Sequence, residues 1–299
     1  MPNILSDLKD IKIAQAALMP WMTTLLPLGA FSTNFSPDAA DKSQSIKVPI
    51  VGKPSKSSDF KGDYTDDADS ESSSIMVTLN RHKYKTVHMS AIEASTLPVP
   101  MLEKWVSAAA QQLANDVLTD ILSCVTAANF GDAALDSVPE DAFNYKSIVS
   151  LRKACGKVSM PMSQRSLILD STHYSTLLGD PIVANSSVTS LVQQGVVEGR
   201  VQRIAGFDIY ETECIPDNGE RLAGFGVHPS AIAVAMRYLQ PSAKYDEAGA
   251  VTDPTTGLTF GYKRFSDTKS DKVYITLEAL YGFAVLRKEG LQRITSAAV

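Results

Sequence analysis

The residue types that could do chemistry are few in this chain and widely set. Asp170, Ser171 and His173 lie within four positions of one another and supply the three groups of a hydrolytic site. They also stand immediately before the run THYSTLL, which is helical in pattern. There Asp170 or Ser171 is the expected cap, its side chain engaged by backbone N–H groups rather than by a substrate. His82 and His88 are six apart on a strand-like run, hence on one face, but about 20 Å apart by strand rise, too far to share a metal. His228 precedes Pro229 and is expected to be structural, at the start of a small helix. Cys124, Cys155 and Cys214 form no CxxC pair, so neither a zinc ribbon nor a redox motif is offered, and partly buried free thiols are expected. Asp67, Asp69 and Glu71 resemble half of a calcium loop but lack its turn glycine and its distal glutamate, so a solvated loop is expected. No GxSxG, Walker or HExxH pattern is present. Gly52-Lys53 runs into Pro54, and Gly224-Phe225-Gly226 runs into His228-Pro229, so neither is a nucleotide fingerprint.

Composition narrows the classes further. The chain has 299 residues, 44% hydrophobic and 20% charged, enough for a large core without disulfides. A net charge of −5 argues against a dedicated nucleic-acid binder, which needs a basic patch to neutralise phosphates. The apolar stretch from Ala16 to Phe31 is shorter than the ~20 residues of a membrane span and is interrupted by Pro20 and Pro27. No membrane association is therefore expected. The stretch reads as part of an arm that buries Trp21, Leu25, Leu26 and Phe31 against a partner. Deleting residues 1–45 should then leave a folded subunit.

These residues are positioned by a recognisable order of elements. Ile46–Val51 reads as an edge strand, because Pro49 cannot donate a ladder hydrogen bond. A polar tract follows from Gly52 to Ser74, with Lys53, Lys56 and Lys61 in it. A strand then runs through Ile75, Val77 and Leu79 to Met89, so the whole reads as a long hairpin without a core of its own. Met101–Val125 carries apolar residues at helical spacing, a spine of about 38 Å. A second helix is expected from Tyr145 to Cys155, capped by Asn144 and stopped by Gly156. Arg165–Leu169 reads as a buried strand, and residues 180–198 as a loop. Between Gly199 and Tyr238 two short strands flank Ala205-Gly206, followed by a polar turn and the helix opened at Pro229. Val273–Val285 alternates over its whole length as a central rib, with Gly282 as a bend, and Tyr262–Phe265 pairs with it across Asp267–Asp271.

Three pieces carry a family resemblance. They are IKVPIV with its polar hairpin and MSAIEAS, SLILDSTHYSTLLGDP, and GRVQRIAGFDIYETECIP with AGFGVHPSAIAVAMR. In this order and spacing the chain, from about Leu25 to its end, resembles the major capsid protein of tailed bacteriophages, the Hong Kong ninety-seven type fold. The resemblance implies an α+β fold with an N-terminal arm (1–48), an extended loop (49–90), a peripheral domain (91–140 and 241–299) and an axial domain (141–240). It implies a structural protein rather than an enzyme, self-assembling as pentamers and hexamers into an icosahedral shell around double-stranded DNA that it does not read by sequence. The partners implied are a separate scaffolding protein, a portal protein and a decoration protein, with no cofactor. The location implied is the virion capsid, assembled in the host cytoplasm. The same fold also serves encapsulin-type nanocompartments, and a soluble hydrolase is the reading outside this class. By region, intersubunit contacts are expected at Trp21, Phe31, Lys53, Lys56, Phe60, Lys61, Tyr64 and Glu103.

Overall fold

A computed structural model of the chain describes residues 6–33, 45–51, 72–90, 92–93, 101–184, 203–240, 245–254, 256–267, 269 and 271–297. The elements in order are α1 (Ser6–Leu25), β1 (Ser45–Val51), β2 (Ser72–Thr78), β3 (Arg81–Ser90), α2 (Met101–Leu122), α3 (Ala127–Phe130), β4 (Leu135–Val138) and α4 (Tyr145–Lys157). Then come β5 (Arg165–Leu169), α5 (Ser171–Leu178), α6 (Pro181–Ala184), β6 (Arg203–Ile204), β7 (Phe207–Glu211), β8 (Leu222–Val227) and β9 (Ile232–Arg237). The chain closes with β10 (Glu247–Thr252), β11 (Thr259–Asp267), β12 (Lys272–Val285) and β13 (Leu291–Ser296). The mixture of helix and sheet is the expected α+β class.

Two sheets organise the molecule. In the first, β10, β11, β12 and β3 lie side by side and β9 also pairs with β12. The fourteen-residue β12 is its rib, pairing antiparallel with β11, β3 and β9. The strand pattern Val273–Val285 and the partner Tyr262–Phe265 are found as expected. Gly282 marks a close approach, because a Cβ there would stand 2.1 Å from the Thr78 carbonyl oxygen. The second sheet runs β4-β13-β8-β5-β7-β6. Its strand β5 is buried along its whole length, as expected of a strand whose Leu167, Ile168 and Leu169 run on without a polar alternation.

The spine helix α2 appears where its periodicity places it, burying Val106, Ala109, Leu113, Val117 and Ile121 along one stripe. Its companion corrects the first expectation. Residues 6–30 pack on the subunit's own core rather than standing out as an arm. They form α1 and the tight turn Leu26–Ala30, packed along α2. Ala17, Trp21, Leu25 and Leu28 recur at helical spacing and are all fully buried in the subunit's own core. The Trp21 ring meets Phe260 at 4.9 Å, and Phe31 stacks on Phe225. Pro20 lies inside the helix, where it removes one backbone bond, and this burial more than offsets that loss. Trp21 and Phe31 are therefore unavailable to a neighbouring subunit.

The hairpin is also anchored. β1 and β2 pair antiparallel, with Pro49 opposite Ser74 as an edge strand permits. Its base buries Ile46, Val48, Val77 and Leu79 against Ala233, Ala235 and Leu280 of the same chain. The expected continuous strand from Ile75 to Met89 breaks at Leu79-Asn80, where the Asn80 N–H bonds to the Thr78 carbonyl and the chain passes from the hairpin to the first sheet.

Three further expectations are corrected. Residues 232–237 form strand β9, not a helix opened by Pro229; its five buried apolar residues, Ile232–Met236, are too few for a helical face and pair with the rib instead. Helix α4 runs through Gly156 to Lys157, and its N-terminus is the predicted one, Asn144 and Ser147 forming a reciprocal capping box. The chain from 180 begins with the short helix α6 before leaving the described residues. The sheets also cut across the expected partition. β13, beyond residue 241, belongs to the sheet of β5 and β8, whereas β9, before it, pairs with the rib, as does β3 from the expected loop.

Candidate functional site

The Asp170–Ser171–His173 constellation is built by the start of α5. The Asp170 carboxylate caps the helix by accepting the His173 N–H at 2.9 Å, and the same oxygen lies 2.8 Å from His173 Nδ1. The imidazole is fully buried and meets the Phe143 ring edge-on. Among the described residues its Nε2 has no hydrogen-bond partner, and none of their hydroxyls stands where a nucleophile would need its base. Ser171 is the first residue of the helix. Three residue types of a triad meet here as a cap and its neighbour, without the geometry of a relay.

The other histidines are equally separate. His82 lies 3.3 Å from Glu278, which is paired with Lys263 at 2.5 Å. His88 packs on the Tyr274 ring. His228 accepts the Ser230 N–H in a tight turn, and burial, with Arg165 and Arg287 nearby, lowers its pKa below the ordinary value. Burial pushes the Cys124 thiol up to about 12 and the Cys155 thiol up to about 11, which silences both as nucleophiles. Cys214 is half-buried in a concavity of about 640 Å3, its sulfur 3.5 Å from Asn115 Oδ1. Among the described residues no group of three or more His, Cys, Asp or Glu side chains is placed to hold a metal ion. Among them, too, no helix is long and apolar enough to cross a membrane.

Of the expected contact residues, Lys53, Lys56, Phe60, Lys61 and Tyr64 lie outside the described residues, as do Asp67, Asp69 and Glu71. Glu103 sits half-buried in the first turn of α2. What the sequence did not signal is a polar cluster binding the spine to the rib. Asp120 of α2 accepts from Tyr281 of β12 and from Arg81 of β3, and the Arg81 guanidinium lies 4.5 Å from the centre of the Phe283 ring. The only hint was an acid next to Ile121 on an otherwise apolar stripe.

No protein-family model matches the chain, and no curated protein matches it in sequence. Its backbone does find counterparts among solved structures. A structure from Mycobacterium phage Che8 superposes with a TM-score of 0.61 at 18% identity, covering 89% of this chain and 89% of that one. The capsid structure of the cyanophage P-SCSP1u gives 0.57 at 13% identity, covering 86% and 85%. The asymmetric unit of the mature capsid of bacteriophage PhiM1 gives 0.56 at 12% identity, covering 87% and 84%. Each likeness covers 84% or more of both chains, so the chain shares the fold of these phage structures.

Proposed function

We propose that this chain is a major capsid protein, whose copies assemble as hexamers and pentamers into the icosahedral shell of a tailed phage around its double-stranded DNA. The observation that carries the reading is the likeness to phage-capsid structures over 86–87% of the chain, a span too long for a shared motif. The acidic balance fits a wall that encloses densely packed DNA without gripping it. The α2–rib region would form the peripheral part, and α4, α5 and the second sheet the axial part that converges at capsomer centres. The polar tract between β1 and β2, with Lys53, Lys56, Phe60, Lys61 and Tyr64, would reach a neighbouring copy, as would Glu103. Scaffolding, portal and decoration proteins would be partners of the shell, assembled in the host cytoplasm and carried in the virion.

Electron microscopy of the purified protein over a range of concentrations, with and without a crowding polymer, tests this. Rings of five or six, or closed shells, are expected. A protein that stays monomeric throughout overturns the proposal. Shells that co-purify with an enzyme cargo would assign it to a nanocompartment instead.

A further inference from the structure

Two exposed faces of the second sheet's region carry opposite charge, and their lysines and glutamates make no ion pair among the described residues. The first is the outer side of α4. Lys146, Val149, Ser150, Lys153 and Lys157 stand at i, i+3, i+4, i+7 and i+11, and all are exposed. The helix contains no acidic residue, and its inner side buries Ile148, Leu151 and Cys155. Lys146, Lys153 and Lys157 make no ion pair among the described residues. Val149, 43% exposed, gives this basic face an apolar centre.

The second face is the outer edge of β7. The strand β6 pairs only with Phe207 and Asp208, so from Ile209 onward no further strand flanks this edge among the described residues. Beyond that point Glu211 and Glu213 are exposed, again without an ion pair among the described residues. They border the concavity floored by Tyr210 and Cys214 and walled by Leu26 and Pro27. The two faces do not overlap. Arg152 of α4 donates to the Ala205 carbonyl at the start of the β6–β7 hairpin, whereas Glu211 ends β7 four residues past Phe207, about 13 Å along the strand, and Glu213 follows beyond it.

We propose that the basic face of α4 on one copy docks against the acidic outer edge of β7, at Glu211 and Glu213, on the next copy. The inference rests on the capsid reading above and names the surfaces through which copies would meet. Two different patches that complement each other make a head-to-tail contact, the kind that closes into rings when its rotation divides the circle. A chain of net charge −5 repels its copies on average, so a local patch of unopposed lysines facing unopposed glutamates sets both orientation and partner. Such a contact weakens as salt screens it.

Four proteins test it: the wild type, K153E/K157E, E211K/E213K, and the fourfold swap. The substituted side chains are exposed, and circular dichroism and thermal melting of the dissociated subunits check that each variant folds. Sedimentation and microscopy then read the assembled fraction at equal concentration. Each double reversal is expected to lower it by roughly tenfold or more, and the swap to restore most of it. Wild-type shells that both reversals leave unchanged overturn this contact but not the capsid reading. Loss with the lysine reversal alone, unrestored by the swap, overturns it in favour of a polyanion on α4. A wild type that forms neither rings nor shells overturns the capsid reading and this contact with it.

Discussion

Tyr281 of the rib donates its hydroxyl to the carboxylate of Asp120 on the spine helix. Arg81 holds the other carboxylate oxygen, so three elements distant in sequence meet at one acid. Burial opposes ionisation of Asp120, but the hydrogen bonds from Tyr281 and Arg81 outweigh it and hold its pKa below the ordinary carboxylate range. Burial, reinforced by the bond to Asp120, pushes the Tyr281 phenol well up, so it remains a donor at every physiological pH. Removing the hydroxyl with Tyr281→Phe should cost about 1.5–3 kcal/mol, the range for a hydrogen bond to a charged group, read as a lower urea midpoint at unchanged slope. Because the folded pKa of Asp120 is depressed, its contribution is present above the unfolded value near ~3.9 and fades as pH falls through the folded one. Asp120→Asn should therefore be less stable than the wild type at neutral pH, and the gap should narrow in acid. A gap that widens in acid would contradict this assignment.

Gly282 and Gly156 should respond oppositely to the same substitution. A Cβ at 282 collides with the Thr78 backbone, which cannot move without pulling the hairpin off the rib. Gly282→Ala should destabilise by about 1–3 kcal/mol or leave the protein insoluble. Gly156 lies in the last turn of α4 with nothing within 4 Å of the added atom, and Gly156→Ala should raise stability by about 0.5–1 kcal/mol. Thermal melts of the pair decide it.

The N-terminal helix is part of the subunit's core, so its loss is a folding defect before it is an assembly defect. Trp21→Ala should cost about 3–5 kcal/mol, a large part of a typical domain's stability. Deleting residues 1–31 should expose the apolar stripe of α2 and yield aggregated protein. A truncated subunit that stays soluble with a cooperative melt would show instead that α1 is dispensable to the core.

The same helix shows where reading the chain reached its limit. The spine, the rib and β5 were legible because their patterns are long or dense: helical spacing in Met101–Leu122, alternation in Val273–Val285, and the apolar Leu167–Leu169 of β5. Asn144 and Asp170 were legible as caps because capping is local chemistry. α1 was misjudged because Pro20 and Pro27 read locally as interruptions, while the burial of Trp21 against Phe260 is non-local. The strand Ile232–Arg237 was misjudged because the apolar run Ala231–Met236 after Pro229 fits either period, and only pairing with the rib decides. At the candidate site, Asp170, Ser171 and His173 are the residue types of a triad, but the helical pattern of THYSTLL behind them already pointed to a cap, and Asp170 is that cap. What no spacing could carry is the burial of His173, whose Nε2 meets no hydrogen-bond partner among the described residues.

Lys263 and Glu278 form a nearly buried ion pair across β11 and β12, with 9% and 5% of their surfaces exposed. Both charges have left water, and what they regain depends on each other. Lys263→Met should therefore cost more than the pair contributes, about 3–5 kcal/mol, because among the described residues it leaves the Glu278 carboxylate with His82 at 3.3 Å as its remaining basic neighbour. Replacing both, as K263M/E278L, removes the stranded charge and keeps the volume, so the double variant should recover most of that loss. Urea unfolding of the wild type, both single variants and the double variant gives the coupling directly. A double variant that loses as much as the two single losses added would show that the residues act independently, and that the rib does not depend on their pairing.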